Sequence, residues 1–432
     1  MSRAAVLRVA LVALLACAPL GPARAQTVGA QDRLEVDLSQ VLQAVEHSQL
    51  NLALQRVDAL LVAHPTFRLG YLIRGDLLLA RTQPLRTFGN VAPAVGPREK
   101  LDGLRAEALA RLQALRDRPK PSRMPQYVLQ LSPEQKYAVV VDSKLSRLYV
   151  FKNVGGLPRY VADYYVTLGK AGVDKTREGD EKTPIGVYYV TSHLPRQKLT
   201  DFYGVGAFPL NYPNAWDRSL GRSGHGIWLH GTPPDTYSRP PRASDGCIVL
   251  ANPDLESLAR FVRIDLTPVI IADEIDWTDA ATLEAERRSL AAAVESWRVD
   301  WQSRDVARYL SHYSREFHGE GRDYASWAAR KRLVDSAKTW IKVDLSDLSM
   351  LRYPRERFVV VTFKQDYRSN NLSNVMMKKQ YWAKEGGGWK IVYEGPADTT
   401  ATQDKEHDET TRSLQAAGGA VRRARGVHGL GG

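Results

Sequence analysis

Gly226-Ile227-Trp228-Leu229-His230-Gly231-Thr232 and, after a Pro-rich loop from Pro233 to Pro241, Ser244-Asp245-Gly246-Cys247-Ile248 are the stretches on which the reading of this chain turns. The first reads as a strand, in which Trp228 and His230 share one face while Ile227 and Leu229 take the other. A histidine at a strand end and, after sixteen intervening residues that close on Gly246, a cysteine can bring imidazole and thiol together. A free thiol has a pKa of about 8.5, and a neighbouring imidazolium lowers it until thiolate dominates near neutrality. Gly246, lacking a Cβ, allows a tight turn and leaves backbone N–H groups near Cys247 to face a developing oxyanion. Such donors contribute on the order of 3 kcal/mol each. His230 would then be base first and acid second. Singly, Cys247 reads equally well as a small core residue and His230 as a satisfied strand histidine. Their joint appearance, with Gly after the His and Gly before the Cys, argues for chemistry.

Working outward, residues 137–142 and 147–151 read as a hairpin, and 160–168, 186–191, 226–230, 247–250 and 268–272 as further strands. Asn252-Pro253 looks like an N-cap followed by Pro at the first helical position, with Leu255, Leu258, Ala259 and Val262 as the buried stripe. Upstream the pattern is helical: Leu38, Val41, Leu42 and Val45 follow the i, i+3, i+4, i+7 rule, then 52–61, 67–80 and 99–115. The helix, His64-Pro65 break and second helix resemble one tetratricopeptide unit, without a further copy. A packing or homodimerisation arm is the plainer reading. Downstream, helices over 283–301 and 327–336, with Val306 to Tyr313 continuing the first, precede strands over 341–351, 358–367, 375–383 and 389–394. That order makes an α+β module. The expected boundaries are a leader at 1–25, a helical arm at 26–122, a mostly-β catalytic domain at 123–275, an α+β domain at 276–396, and a polar, disordered tail at 397–432.

The bulk numbers agree with several domains: 432 residues, 44% apolar, and a formal charge of +12. Arg3 and Arg8 precede a short apolar run, Val9 to Leu20, which leads into Ala23-Arg24-Ala25, the form of an export leader. Its removal takes three arginines and no acid, from +12 to +9. An exported chain does not meet the chromosome, so nucleic acid is excluded as a partner and an anionic wall or membrane surface is favoured. Leu14-Leu15-Ala16-Cys17 loosely resembles a lipoprotein site, the minor reading beside soluble export. Cys17 leaves with the leader, so the mature chain holds one thiol, Cys247, and no internal disulfide. No Cys/His spacing fits zinc, and neither metal nor cofactor is expected.

His230-Gly231-Thr232 followed by Ser244-x-Gly246-Cys247-Ile248 resembles the signature of the L,D-transpeptidase (YkuD-type) catalytic domain. Val141-Asp142 with Leu148-Tyr149-Val150-Phe151, Gly179-Asp180-x-Lys182-Thr183-Pro184-Ile185-Gly186 and Thr267-Pro268-Val269-Ile270 resemble its other landmarks, over residues 136–273. The resemblance implies Cys247 as nucleophile, His230 as base, and the Gly231 carbonyl orienting the imidazole. Peptidoglycan stem peptides would be the substrate. A thioester formed with loss of D-Ala would yield a 3→3 crosslink with an amine, or a tripeptide with water. Two departures stand out: Asp245 where the family has His, and Val249 where it has Arg. Arg242, Arg239 or Arg222 could hold the substrate carboxylate in its stead. Ser244, Asp245, Trp228 and His225 are further candidates for substrate contact, although strand alternation places His225 opposite His230.

The C-terminal module resembles the nuclear-transport-factor-two-like cone fold through Trp297-x3-Trp301, Tyr313-x3-Phe317, Phe363-x-Gln365-x-Tyr367 and Trp389-Lys390-Ile391-Val392. Its aromatics are either core or the lining of a pocket for an unknown ligand. Arm, catalytic domain and cone in this order resemble the shape-determining L,D-carboxypeptidases of curved and helical bacteria. The sequence therefore supports a transpeptidase first, a carboxypeptidase second, and a non-catalytic wall-binding scaffold third.

Overall fold

The computed structural model describes residues 30–397, apart from 86, 91–97 and 121. The segment expected to be a leader, with Cys17, and residues 398–432 of the expected tail lie outside the described residues. The N-terminal part is helical: Ala30–Glu46, Leu50–Ala63, Arg68–Leu79 and Arg98–Arg116. Apolar spacing sets their packing, with Leu38, Val41, Val57, Leu60, Phe67 and Ile73 meeting in one core.

The middle is mostly β. A five-stranded sheet runs in the order Leu157–Tyr165, Arg147–Val154, Tyr137–Asp142, Pro268–Ala272 and Gly186–Tyr189. A four-stranded sheet, in the order Ile248–Val249, Trp228–His230, Gly206–Pro209 and Leu194–Pro195, packs against it. Strand Tyr137–Asp142 reads as a nearly unbroken apolar run because both of its faces are covered. Val139 and Val141 join Leu229 and Ile248 in the core between the two sheets. Ala138 and Val140 face the other way, onto the C-terminal module. The strand expected over 160–168 instead breaks into Leu157–Tyr165 and Leu168–Gly169. Gly206–Pro209 was unreadable, since a Gly-Ala-Phe-Pro run carries almost no strand signal.

The C-terminal module is α+β, with a seven-stranded sheet curling around the long helix Ala280–Ser303. That helix stops at Arg304, whose φ of 62° is left-handed, and Val306–Ser311 is a separate helix. Tyr313–Gly319 is a strand, not a continuation of the helix. Val128–Gln130, assigned by the 123 boundary to the catalytic domain, pairs instead with Ile341–Arg352 at the edge of the C-terminal sheet. The middle and C-terminal parts also share side-chain contacts. Trp216 lies edge-on to Phe358 at 4.8 Å and to Tyr381 at 5.6 Å, and its Nε1 donates to Glu356 at 3.2 Å.

The arm is tied to the middle domain by buried charge. Arg147 pairs with Asp163 and, at 3.1 Å, with Glu35, which also takes Arg111. Removing any one partner would strand another charge in the interior.

Candidate active site

Two short strands create the site. Trp228–His230 and Ile248–Val249 pair in parallel, Leu229 opposite Ile248 and His230 opposite Val249. Leu229 and Ile248 both enter the core. Alternation therefore puts Trp228, His230 and Val249 on the other face, with Cys247 just before the second strand on that same side. Thiol and imidazole stand diagonally across the pair, about 8 Å apart at their Cα atoms by strand spacing, a gap the two side chains are long enough to bridge.

His230 is 1% exposed, and its Nδ1 lies 2.7 Å from the Gly231 carbonyl oxygen. A carbonyl only accepts, so Nδ1 carries the hydrogen and Nε2 keeps its lone pair. The ring sits against Tyr203 at 5.1 Å and Phe202 at 5.9 Å. Burial lowers its pKa to about 4. Cys247 is half-buried, and its thiol donates to the Gly226 carbonyl at 3.3 Å. Burial pushes the thiol up to about 11, against the opposing pull of the Trp228 amide. Among the described residues no hydrogen bond joins the thiol to the imidazole. Burial thus favours the neutral form of both groups, and among the described residues no carboxylate pairs with the ring to favour its charged form.

The turn before Cys247 is built by side chains. Ser244 Oγ donates to the Cys247 carbonyl at 2.7 Å and accepts from the Gly246 N–H at 3.2 Å. Ser244 is therefore committed to the turn and not to substrate. Gly246 has φ 128°, and a Cβ there would meet the Lys182 carbonyl at 2.7 Å, so only glycine fits. Its N–H is occupied, which corrects the expectation of a free Gly246 donor. The Cys247 N–H has no acceptor among the described residues.

Other candidates move away from the thiol. Asp245 is exposed and pairs with Lys170 at 3.0 Å. Arg242 donates to the Ser143 carbonyl at 2.9 Å, and Arg222 is held by Asp217 and Asp174. Trp228 is 5% exposed and packs on Tyr203 at 5.0 Å, a wall of the site more than a contact surface. His225 precedes the strand, because Gly226 at φ 73° breaks it. The alternation argument does not reach it. It is exposed, 3.7 Å from Glu178.

Residues 136–271 match the L,D-transpeptidase catalytic domain (YkuD), and residues 289–395 the Cds6 C-terminal NTF2-like domain. The structure of Bd1075 from Bdellovibrio bacteriovorus is similar over 99% of its chain and 64% of this one, at 31% identity and a TM-score of 0.56. The chain belongs to the L,D-transpeptidase family. The helical cell shape determining protein Pgp2 from Campylobacter jejuni is 26% identical over 66% of this chain and 99% of its own, with a TM-score of 0.53. No curated protein matches the sequence. As a member of the L,D-transpeptidase family, the chain is a peptidoglycan enzyme carrying an NTF2-like C-terminal domain.

Four contributors to this L,D-transpeptidase site went unread in the sequence. Asn252 is not the N-cap, which is Ala251. Its side chain reaches back instead, accepting from the N–H groups of Thr232 and Val205 at 3.2 Å and donating to the Thr232 carbonyl at 2.9 Å. It thereby fixes the loop that supplies the Gly231 carbonyl. Thr183, inside the quoted Gly179 to Gly186 landmark, donates to the Gly246 carbonyl at 2.9 Å and accepts from the Gly169 N–H at 2.9 Å. Phe202 and Tyr203 wall the imidazole, and only their aromatic character hinted at this.

In the NTF2-like domain Trp297, Tyr313, Phe317, Phe363, Trp389 and Ile391 are core. Trp301 and Tyr367, with Tyr309, Lys331, Gln365 and Lys378, line a cavity of about 250 Å³.

Proposed function

We propose that the chain is an exported enzyme in which Cys247 attacks the carbonyl of the L-centre of the diamino acid at position three of a tetrapeptide stem. The observation that carries this reading is the strand register that puts Cys247 and His230 on one face, with Nδ1 held by Gly231 and Nε2 left basic. Nε2 takes the thiol proton as the C–S bond forms, and the Cys247 N–H donates to the oxyanion. The imidazolium so made sits where burial disfavours its charge. It is therefore a strong acid toward the D-Ala amine, which leaves protonated as the C–N bond breaks. The product is a thioester on Cys247. Export through residues 1–25 belongs to this proposal, because the substrate lies outside the cytoplasm.

Water is the acceptor that the architecture favours, giving a tripeptide. The domain order resembles that of L,D-carboxypeptidases, and the likeness to the helical cell shape determining protein runs along 99% of that chain. Transfer to an amine, giving a 3→3 crosslink, is the second reading, supported by the catalytic domain itself. Incubation with disaccharide-tetrapeptide and weighing of the products separates them: tripeptide alone supports hydrolysis, crosslinked dimers support transfer, and unchanged substrate supports a non-catalytic scaffold. Pairing of two copies through the arm, and a ligand in the C-terminal cavity, belong to the same proposal as secondary features.

A further inference from the structure

The loop between His230 and Cys247 carries a cation that the reaction above leaves unused. The guanidinium of Arg239 lies 4.7 Å over the ring of Phe202, and that ring lies 5.9 Å from His230. Arg239 thus stands at the rim of the catalytic cleft, and its charge is felt by both the thiol and the imidazole. Four neighbouring cations are engaged: Arg242 on Ser143, Arg222 on Asp217, Lys170 on Glu181 and Lys175 on Asp180. Among the described residues no carboxylate lies within ion-pair distance of Arg239. A half-buried guanidinium with one face on an aromatic ring and its N–H fork unpaired is suited to a planar anion.

The position of Arg239 is fixed both from within the catalytic domain and from the arm. Its carbonyl accepts from Tyr165 Oη at 2.9 Å and Thr167 Oγ1 at 3.1 Å. On one side Ser238 Oγ donates to Glu107 of the arm at 2.7 Å, and Tyr237 packs edge-on against Phe67 at 5.6 Å. On the other side the Pro240 ring fills the space at Gly103, where a Cβ would come within 2.7 Å of it. The helical arm therefore grips the loop on both flanks of the arginine.

We propose that Arg239 is the specificity residue that receives the free α-carboxylate of the departing D-amino acid, positioned by the N-terminal arm. This rests on the proposed reaction, in which that carboxylate lies one residue beyond the attacked carbonyl.

The test uses the full-length mature protein with two substrates, a tetrapeptide stem ending in the free carboxylate and the same stem ending in an amide. The wild type should favour the acid by roughly 10- to 100-fold in kcat/KM, the worth of a charge-assisted hydrogen bond, mostly through KM. R239Q should bring the acid down to the level of the amide, and R239K should restore part of the preference. S238A, which loosens the arm's grip without touching the cation, should raise KM for the acid alone and carries the test if R239Q melts early. An undiminished preference in R239Q and S238A, with normal turnover, would overturn the role of Arg239 and leave the reaction standing. A wild type inert toward both stems would overturn the reaction, and this inference with it.

Discussion

At Cys247 and His230 the chemistry is governed by how far burial has separated two proton affinities. With the thiol near 11 and the imidazole near 4, both groups are neutral across the ordinary pH range, and a standing thiolate–imidazolium pair is disfavoured. The sign follows directly. Raising the pH builds thiolate toward the thiol's own elevated value, while lowering it disables the base only near pH 4. Alkylation of Cys247 by iodoacetamide should accordingly be slow at neutrality and rise about tenfold per pH unit, without a plateau below about pH 9. Fast alkylation with an inflection below neutrality would show an ion pair instead. The two residues themselves were legible, because their glycine neighbours and spacing form a pattern. Their charge state was not, since burial is supplied by Phe202, Tyr203 and core residues that the chain brings in from elsewhere.

The loop after the catalytic strand depends on a helix that follows the nucleophile. Asn252 holds Thr232 and Val205 through three hydrogen bonds, and that loop contains the Gly231 carbonyl on which the tautomer of His230 depends. N252A should cost about 1–3 kcal/mol in denaturant unfolding, since two N–H groups and a carbonyl lose their partner. It should also lower kcat more than it raises KM. Equal stability and turnover would mean that the loop holds itself. Asn before Pro reads as a helix cap from sequence, and only the fold shows its side chain turned backward. The step from Tyr309 to Tyr313, taken as the end of a helical pattern, misled in a similar way. A separation of four fits one helical turn and equally two strand repeats, and here the strand Tyr313–Gly319 won by pairing with Gly388–Pro396.

Across the whole molecule the arm, the middle domain and the C-terminal module are joined by side-chain contacts. The arm contributes Glu35 to a buried charge network around Arg147, and Trp216 is wedged against Phe358 and Tyr381 of the C-terminal sheet. W216A should destabilise the protein by about 2–4 kcal/mol while unfolding stays a single transition. Two separate transitions in urea would instead show that the catalytic and NTF2-like parts are independent. The order of helical, mostly-β and α+β parts was readable from composition and periodicity. The exchange of Val128–Gln130 into the C-terminal sheet was not, because three residues carry too little pattern to name a partner strand. The most direct measurement of the whole account is the intact mass of the protein caught during turnover of disaccharide-tetrapeptide. The wild type should carry the substrate less D-Ala on Cys247, and C247A should carry nothing and release no tripeptide. Tripeptide from C247A, or an adduct on any other residue, would contradict it.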